Sequence, residues 1–380
     1  MSVWDSLEAS RAVGGLARQI AAGEIAHAWV LFGPTGSGKR PISVAMAAAI
    51  QCPVEPRVGC GTCSTCLRIL RHRHPDVHHI VPEGPLIPVD VIREVVVPEA
   101  ARSPFEARMK VFIIEEAERM NPAAQNALLK TLEEPPADTV FILISDREDE
   151  LLETIRSRCR VVRLEPVPEH RIVELLVRQG VSEQAALVSA RVSDGDLERA
   201  LALALDDPTG DRRRTWLSIP RRLVSPVDAL DAAAEVIQEV KAALGSLEAT
   251  QKVETQELAD MIGEKRGTAA ARNALSKKHK RELRRREEEL LGEALHTIAS
   301  FYRDVLAVRT GGTEAVTNID VMAELEDWVS ADVDNRALLR AAERCVDARS
   351  SFMSNANPTL AIEATLVEIG HLVPADARVG

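Results

Sequence analysis

Aromatic side chains are scarce in this chain of 380 residues: Phe, Trp and Tyr make up 3% of it, with a single tyrosine. Its cores must therefore rest on Ala, Leu, Val and Ile, a composition that leans helical. No window approaches the roughly 20 uninterrupted apolar residues that a membrane helix needs. The opening MSVWDSLEAS also lacks the basic-then-apolar order of a signal peptide, so a cytoplasmic protein is expected. Six cysteines are too few for a disulfide scaffold. Positive charge is in deficit as well, 47 Lys and Arg against 58 Asp and Glu, for a net charge of -11. That balance argues against a surface that grips nucleic acid throughout, because phosphate binding draws on clustered Lys and Arg; it leaves room for a local basic patch.

The length allows two or three domains. The first 165 residues alternate strand and helix. The runs 28–32, 111–114 and 140–144 are short, apolar and rich in β-branched residues, and each suits a strand buried on both faces of a parallel sheet. Asn121-Pro122 predicts a helix start, with Ala124, Leu128, Leu129 and Leu132 at helical spacing before Pro135-Pro136 ends it. A last strand, 161–164, closes this α/β wound domain. Only helical periodicities follow over 169–205, which predicts a small helical domain, 166–208. A third, all-helical domain is expected over 209–380, its helices broken near Pro220, Pro226, Gly311-Gly312 and Pro358. Within it, 277–289 reads KKHKRELRRREEE, a basic run passing into an acidic one. A solvated helix with charge pairs three or four apart explains such a run, and contact with DNA or a partner is the sharper alternative.

Three motifs carry chemistry. Gly33-Pro34-Thr35-Gly36-Ser37-Gly38-Lys39 lies between a strand and an Ala-rich helix, the setting of a phosphate-cradling loop. Gly33, Gly36 and Gly38 let backbone amides turn toward phosphate oxygens, and Lys39 reaches the outer phosphates. The next position normally supplies a Ser or Thr hydroxyl to Mg²⁺; here it is Arg40, which impairs the metal site. Glu115 and Glu116 end the apolar strand that should complete such a site, Glu115 standing where the metal-holding aspartate is usual. Cys52, Cys60, Cys63 and Cys66, in the order C-x7-C-x2-C-x2-C, point to a closed tetrahedral Zn²⁺ site of structural type. His72, His74, His78 and His79 just downstream are read as surface or turn residues, since four thiolates fill the shell. Arg158, in Ser157-Arg158-Cys159 before the last strand, reads on its own as a salt-bridged surface residue.

His27-Ala28-Trp29 before the loop, the inserted cysteine knuckle, the run NALLKTLEEPP at 126–136 and Ser157-Arg158-Cys159 together resemble the delta-prime family of bacterial DNA polymerase III clamp-loader subunits. The pieces span residues 27–159 in the family's order. Asn355, Asn357 and Glu363 resemble its closing helix, whereas 211–310 is longer and more charged than the family pattern. The resemblance implies an AAA+ P-loop domain with a zinc insert, 1–165, a helical lid and a helical collar. It implies delta and gamma/tau subunits as partners, with the sliding clamp and primed DNA met inside the complex. Arg158 becomes by this resemblance a finger that reaches ATP on an adjacent gamma/tau subunit. The family's lid arginine aligns with Glu198 in Gly195-Asp196-Leu197-Glu198-Arg199. A subunit with neither polymerase nor ATPase activity of its own is expected, with an active AAA+ ATPase as the alternative and a zinc-stabilised DNA-binding module as a third reading. ATP or ADP binding stays open, because Lys39 and the glycines are intact.

Overall fold

Five short strands assemble into one parallel sheet in the computed structural model, which describes every residue except 1, 8–10, 83–85, 263–267, 330–332, 353–356 and 374–380. They are Ala28–Phe32 (β1), Val77–Ile80 (β2), Lys110–Ile114 (β3), Thr139–Ser145 (β4) and Arg160–Arg163 (β5), in the order β2-β3-β4-β1-β5. Every pairing is parallel. β1, β3 and β4 are buried along their whole length, with one apolar cluster on each face of the sheet, which is why they read as unbroken apolar runs rather than alternations.

β2 corrects the reading of the histidines. Val77-His78-His79-Ile80 pairs with β3, and the His78 ring stacks on Phe112 at 4.6 Å. Burial pushes the His79 imidazole down to about 3, with His72 and His78 beside it adding to the effect. His74 is buried, its Nε2 3.3 Å from Glu106. Only His72, exposed with φ 55°, is the turn residue expected. An edge strand exposes one side of its ladder and tolerates polar residues, so its apolar signature was too weak to read. Beside it, the buried Asp76 carboxylate accepts the amides of Phe105, Glu106 and Ala107 at 2.6, 2.9 and 2.8 Å and fixes the loop entering β3.

The helix Pro122–Glu133 starts as expected: the Asn121 side chain accepts the Ala124 amide at 2.8 Å, and Pro122 sits where no amide bond is lost. Buried Gln125 then ties this helix to the next corner, donating to the Glu150 carbonyl at 3.1 Å and accepting from the Leu152 amide at 2.8 Å. Helices Glu169–Arg178, Glu183–Ser193 and Leu197–Leu205 share a small core of their own around Ile172, Leu176, Ala190 and Leu197.

The chain divides into two compact units, Met1–Leu205 and Asp206–Gly380, so these three helices group with the sheet. The second unit is helical: Asp207–Arg222, Pro226–Ile262, Thr268–Arg309, Met322–Val329, Asn335–Phe352 and Pro358–Leu372, with two single-turn segments between Arg309 and Met322. Pro220 lies inside the first of these, not at a break; it is buried two residues from the helix end, where one lost backbone bond costs least. Asn357 caps the last helix, Asn355 lies outside the described residues, and Glu363 stands within that helix. A core of Leu, Ala and Val around Phe301, Tyr302 and Trp328 serves this unit, as the poverty in aromatics required.

Candidate functional site

The loop after β1 has the backbone a phosphate cradle needs. Gly36 and Gly38 hold φ of 81° and 80°, in the left-handed region that costs other residues energy. A Cβ on Gly33 would stand 2.5 Å from the Leu164 carbonyl oxygen. The helix Lys39–Gln51 then begins, its free amides facing the loop. Lys39 is buried, and its Nζ donates to the carbonyls of Gly33 at 2.6 Å and Pro34 at 2.5 Å. Asp146, just beyond β4, pairs with the same ammonium at 2.8 Å and accepts from the Thr35 hydroxyl at 2.6 Å. The motif therefore folds around its own lysine.

Arg40 faces the acids at the end of β3. Its Nε lies 2.6 Å from Glu115 Oε2, and its Nη2 lies 3.5 Å from Glu116 Oε1. Glu116 takes a left-handed backbone, φ 49°, and also pairs with Arg119 at 2.9 Å. These residues do not fit a Mg²⁺ ion held in the P-loop manner: the hydroxyl ligand is absent, and a guanidinium engages the carboxylates that should orient the metal.

Two further acids crowd the site. Burial, then the charge of Asp196, raises the Glu198 carboxyl above its ordinary range, against the opposing pull of Arg40. Asp196 packs over Gly36 so closely that a Cβ there would meet its side chain at 2.3 Å. Glu118, behind the loop, is likewise raised by burial. The structure thus brings together Gly33, Gly36, Gly38, Lys39, Arg40, Glu115 and Glu116, and adds Asp146, Asp196 and Glu118, which sequence reasoning did not place. The Ser145-Asp146 step after the β4 run was the one signal for the first of these.

The cysteine knuckle closes in space. Cys52 caps the helix Lys39–Gln51, and Cys63 caps the helix Ser64–Leu70. Gly59 (φ 82°) is required between them, because a Cβ there would meet Val3 at 2.7 Å. The four Sγ atoms lie within 4.8 Å of one another, with Cys52 3.7 Å from Cys60 and 3.9 Å from Cys63. Four sulfurs at about 2.3 Å from a tetrahedral ion stand about 3.8 Å apart, so the donor set fits a metal. Hydrogen bonding from the Thr62 amide lowers the Cys60 thiol to about 6, toward the thiolate a metal binds, while burial raises Cys66.

Arg158 takes partners of its own. One Nη lies 2.6 Å from Glu133 and the other donates to the Thr154 carbonyl at 2.9 Å. Its side chain is 34% exposed, so the head group is held at the surface rather than buried. Glu133 belongs to the 126–136 run, which joins the two motifs into one corner.

A parallel sheet with a phosphate loop after one strand, and acids after the strand two places away, defines an α/β domain of P-loop type. A family model described as DNA polymerase III, delta subunit matches residues 9–168. DNA polymerase III subunit delta' of Pseudomonas aeruginosa is 43% identical over 137 residues, 35% of this chain and 42% of that protein. Its counterpart in Bacillus subtilis is 32% identical over 192 residues, 50% of this chain and 57% of that protein. Proteins described as subunits gamma and tau also match, the tau of Salmonella typhimurium at 31% over 195 residues, 50% of this chain and 30% of that protein. A solved structure of a gamma subunit-related protein from Thermotoga maritima aligns at 20% identity and a TM-score of 0.44, covering 93% of this chain and 98% of that one. The chain spans about half the length of the delta' proteins it matches. Over residues 9–168 the chain is thus similar to clamp-loader subunits of DNA polymerase III, the delta', gamma and tau proteins alike.

Proposed function

We propose that this chain is a delta-prime-like subunit of a cytoplasmic clamp loader that does not hydrolyse ATP itself but donates Arg158 to a nucleotide held by a gamma/tau neighbour. The observation that carries this reading is the 2.6 Å pairing of Arg40 with Glu115, a fixed cation where a hydrolysing subunit keeps a hydroxyl, a metal and a free acid. Glu198 supports it, since a carboxylate at the lid position repels a γ-phosphate that an arginine would hold. The loop remains as architecture and as a resting place for nucleotide at most.

Arg158 is suited to act in trans because its pairing with Glu133 is a surface contact, worth about 1 kcal/mol or less and easily exchanged for a phosphate oxygen. Its planar fork matches a phosphoryl group, and such fingers contribute about 10³ to 10⁵ in rate. Cys52, Cys60, Cys63 and Cys66 hold Zn²⁺, which cross-links two helix ends and has no coordination position left for chemistry. In this reading the sheet domain, lid and collar occupy 1–165, 166–208 and 209–380, and the partners are delta, gamma/tau, the sliding clamp and primed DNA.

The test is a loader reconstituted with candidate delta and gamma/tau subunits, in which ATPase stimulated by clamp and primed DNA is measured with Arg158→Ala. A loss of at least about tenfold is expected. An unchanged rate removes the finger assignment.

A further inference from the structure

The first unit carries a surface that neither the phosphate loop nor Arg158 uses. The chain has six Phe, four Trp and one Tyr; ten of these rings are 6% exposed or less, whereas Phe105 is 83% exposed. A Leu or Val standing singly on a surface is ordinary. A ring left in water by a chain that buries every other ring is not. Nor is Phe105 on a loose segment. Its amide donates to the buried Asp76 carboxylate at 2.6 Å, and the next two amides donate to the same group at 2.9 and 2.8 Å. Glu106 Oε1 lies 2.5 Å from Arg68 Nη2 and 3.3 Å from His74 Nε2, which fastens the loop to the helix Ser64–Leu70 that carries Cys66. The cysteine knuckle thus buttresses this loop, and the ring is held out in advance of any contact.

Because all five strands are parallel, the loop entering β3 lies at the opposite end of the sheet from the phosphate loop, which follows β1. It also stands beside the β2 edge, whereas Arg158 precedes β5 at the other edge. The charges around the ring are one-sided. Segments 68–76 and 99–108 hold five Arg and no Lys against three acids, Asp76, Glu99 and Glu106. Each acid is already committed: Asp76 to the amides, Glu99 to Lys110 and to Arg102 at 2.8 Å, and Glu106 to Arg68 and His74. Among the described residues, Arg71, Arg73 and Arg108 have no acid partner, and all three are exposed.

We infer that the corner formed by Phe105, Arg71, Arg73 and Arg108 is a docking surface for an acidic amphipathic segment of another protein, whose apolar side chains cover the ring and whose carboxylates meet the guanidinium groups. A rigid aromatic ring rimmed by Arg, with Lys absent, is the composition of the energetic centre of a protein interface. Charge complementarity selects the partner: three unpaired guanidinium groups around one ring repel a basic segment and pair bidentately with Asp or Glu. A strand of nucleic acid would call for successive rings to stack its bases along a continuous cationic groove, and here a single ring stands in the open.

The test selects a display library of short random peptides on the immobilised full chain, then measures the enriched peptides, synthesised with a fluorescent label, by anisotropy. Enriched peptides should combine Asp or Glu with Leu, Met or Phe. Phe105→Ala should bind them at least about tenfold more weakly. Arg71→Ala/Arg73→Ala should weaken binding about threefold or more and flatten its salt dependence. Val253→Ala, at an exposed apolar residue of the second unit, should change nothing. Circular dichroism and Tm confirm that each variant keeps its fold, as the exposure of the substituted side chains leads one to expect. A library that yields no acidic peptides, or affinities that Phe105→Ala leaves unchanged, would overturn the assignment. So would a labelled single strand of DNA that binds the wild-type chain more tightly than the peptides and is lost with Phe105→Ala, in that case in favour of nucleic acid.

Discussion

Arg40→Ala removes the cation from the centre of the site, and the size of the effect follows from two opposed contributions. Arg40 occupies the second position of the helix Lys39–Gln51, where a positive charge meets the positive end of the helix dipole; removing it gains about 0.3–1 kcal/mol. Against this stands the pairing with Glu115. The guanidinium is 45% exposed but the acid side chain only 12%, so the pair lies between a surface bridge, worth up to about 1 kcal/mol, and a buried one, whose breaking costs about 3–5. About 2 kcal/mol is a fair middle, and the net loss is then near 1 kcal/mol, or about 2–4 °C in Tm for a unit of this size. Because the single variant mixes both contributions, a double-mutant cycle with Glu115→Gln is needed. The coupling should be about 1–2 kcal/mol and should persist at about 1 M salt, since the acid is shielded from solvent. A coupling below about 0.3 kcal/mol would refute the view that Arg40 holds the acids.

Three further outcomes are expected. Glu198 has a native value above its ordinary 4.5, so its protonated form contributes stability that is fully present below 4.5 and lost as pH rises through the native value; Glu198→Gln should gain on wild type in urea midpoint between about pH 5 and about pH 8. Burial works to raise Asp76, but the amides of Phe105, Glu106 and Ala107 outweigh it and hold the carboxyl below 3.8, so its contribution is present above 3.8 and fades as pH falls through the native value; Asp76→Asn should cost about 2–4 kcal/mol by chemical denaturation at neutral pH. Native mass spectrometry should find about one zinc per chain, absent in Cys66→Ser, with a lower Tm in the variant and after treatment with a strong chelator.

Much of the first unit was legible because its strands are buried on both faces and its turns need particular residues. β1, β3 and β4 were visible as short apolar runs, the helix after Asn121 as a capped amphipath, and the cysteine knuckle as a spacing. β2 was hidden by His78 and His79, which pack through their rings rather than by apolar alternation. The grouping of the three helices of 169–205 with the sheet depends on contacts far apart in sequence, and no periodicity encodes it. At the candidate site, the replacement of a hydroxyl by Arg40 was visible from the motif, but its pairing with Glu115 was not, because the two residues meet only through the sheet order. Asp196 and Glu118 were invisible for the same reason, and Asp146 showed only as the acid after the β4 run. The break expected near Pro220 and Pro226 falls between them, at 223–225, because packing holds the helix through buried Pro220 for two more residues.

The most direct test of the account is steady-state ATP hydrolysis by the purified chain with Mg²⁺ present, wild type against Lys39→Ala. With Arg40 seated on Glu115, both proteins should show no turnover above the protein-free blank. Magnesium-dependent hydrolysis by the wild type that disappears in Lys39→Ala would contradict the account and make this chain a motor subunit in its own right.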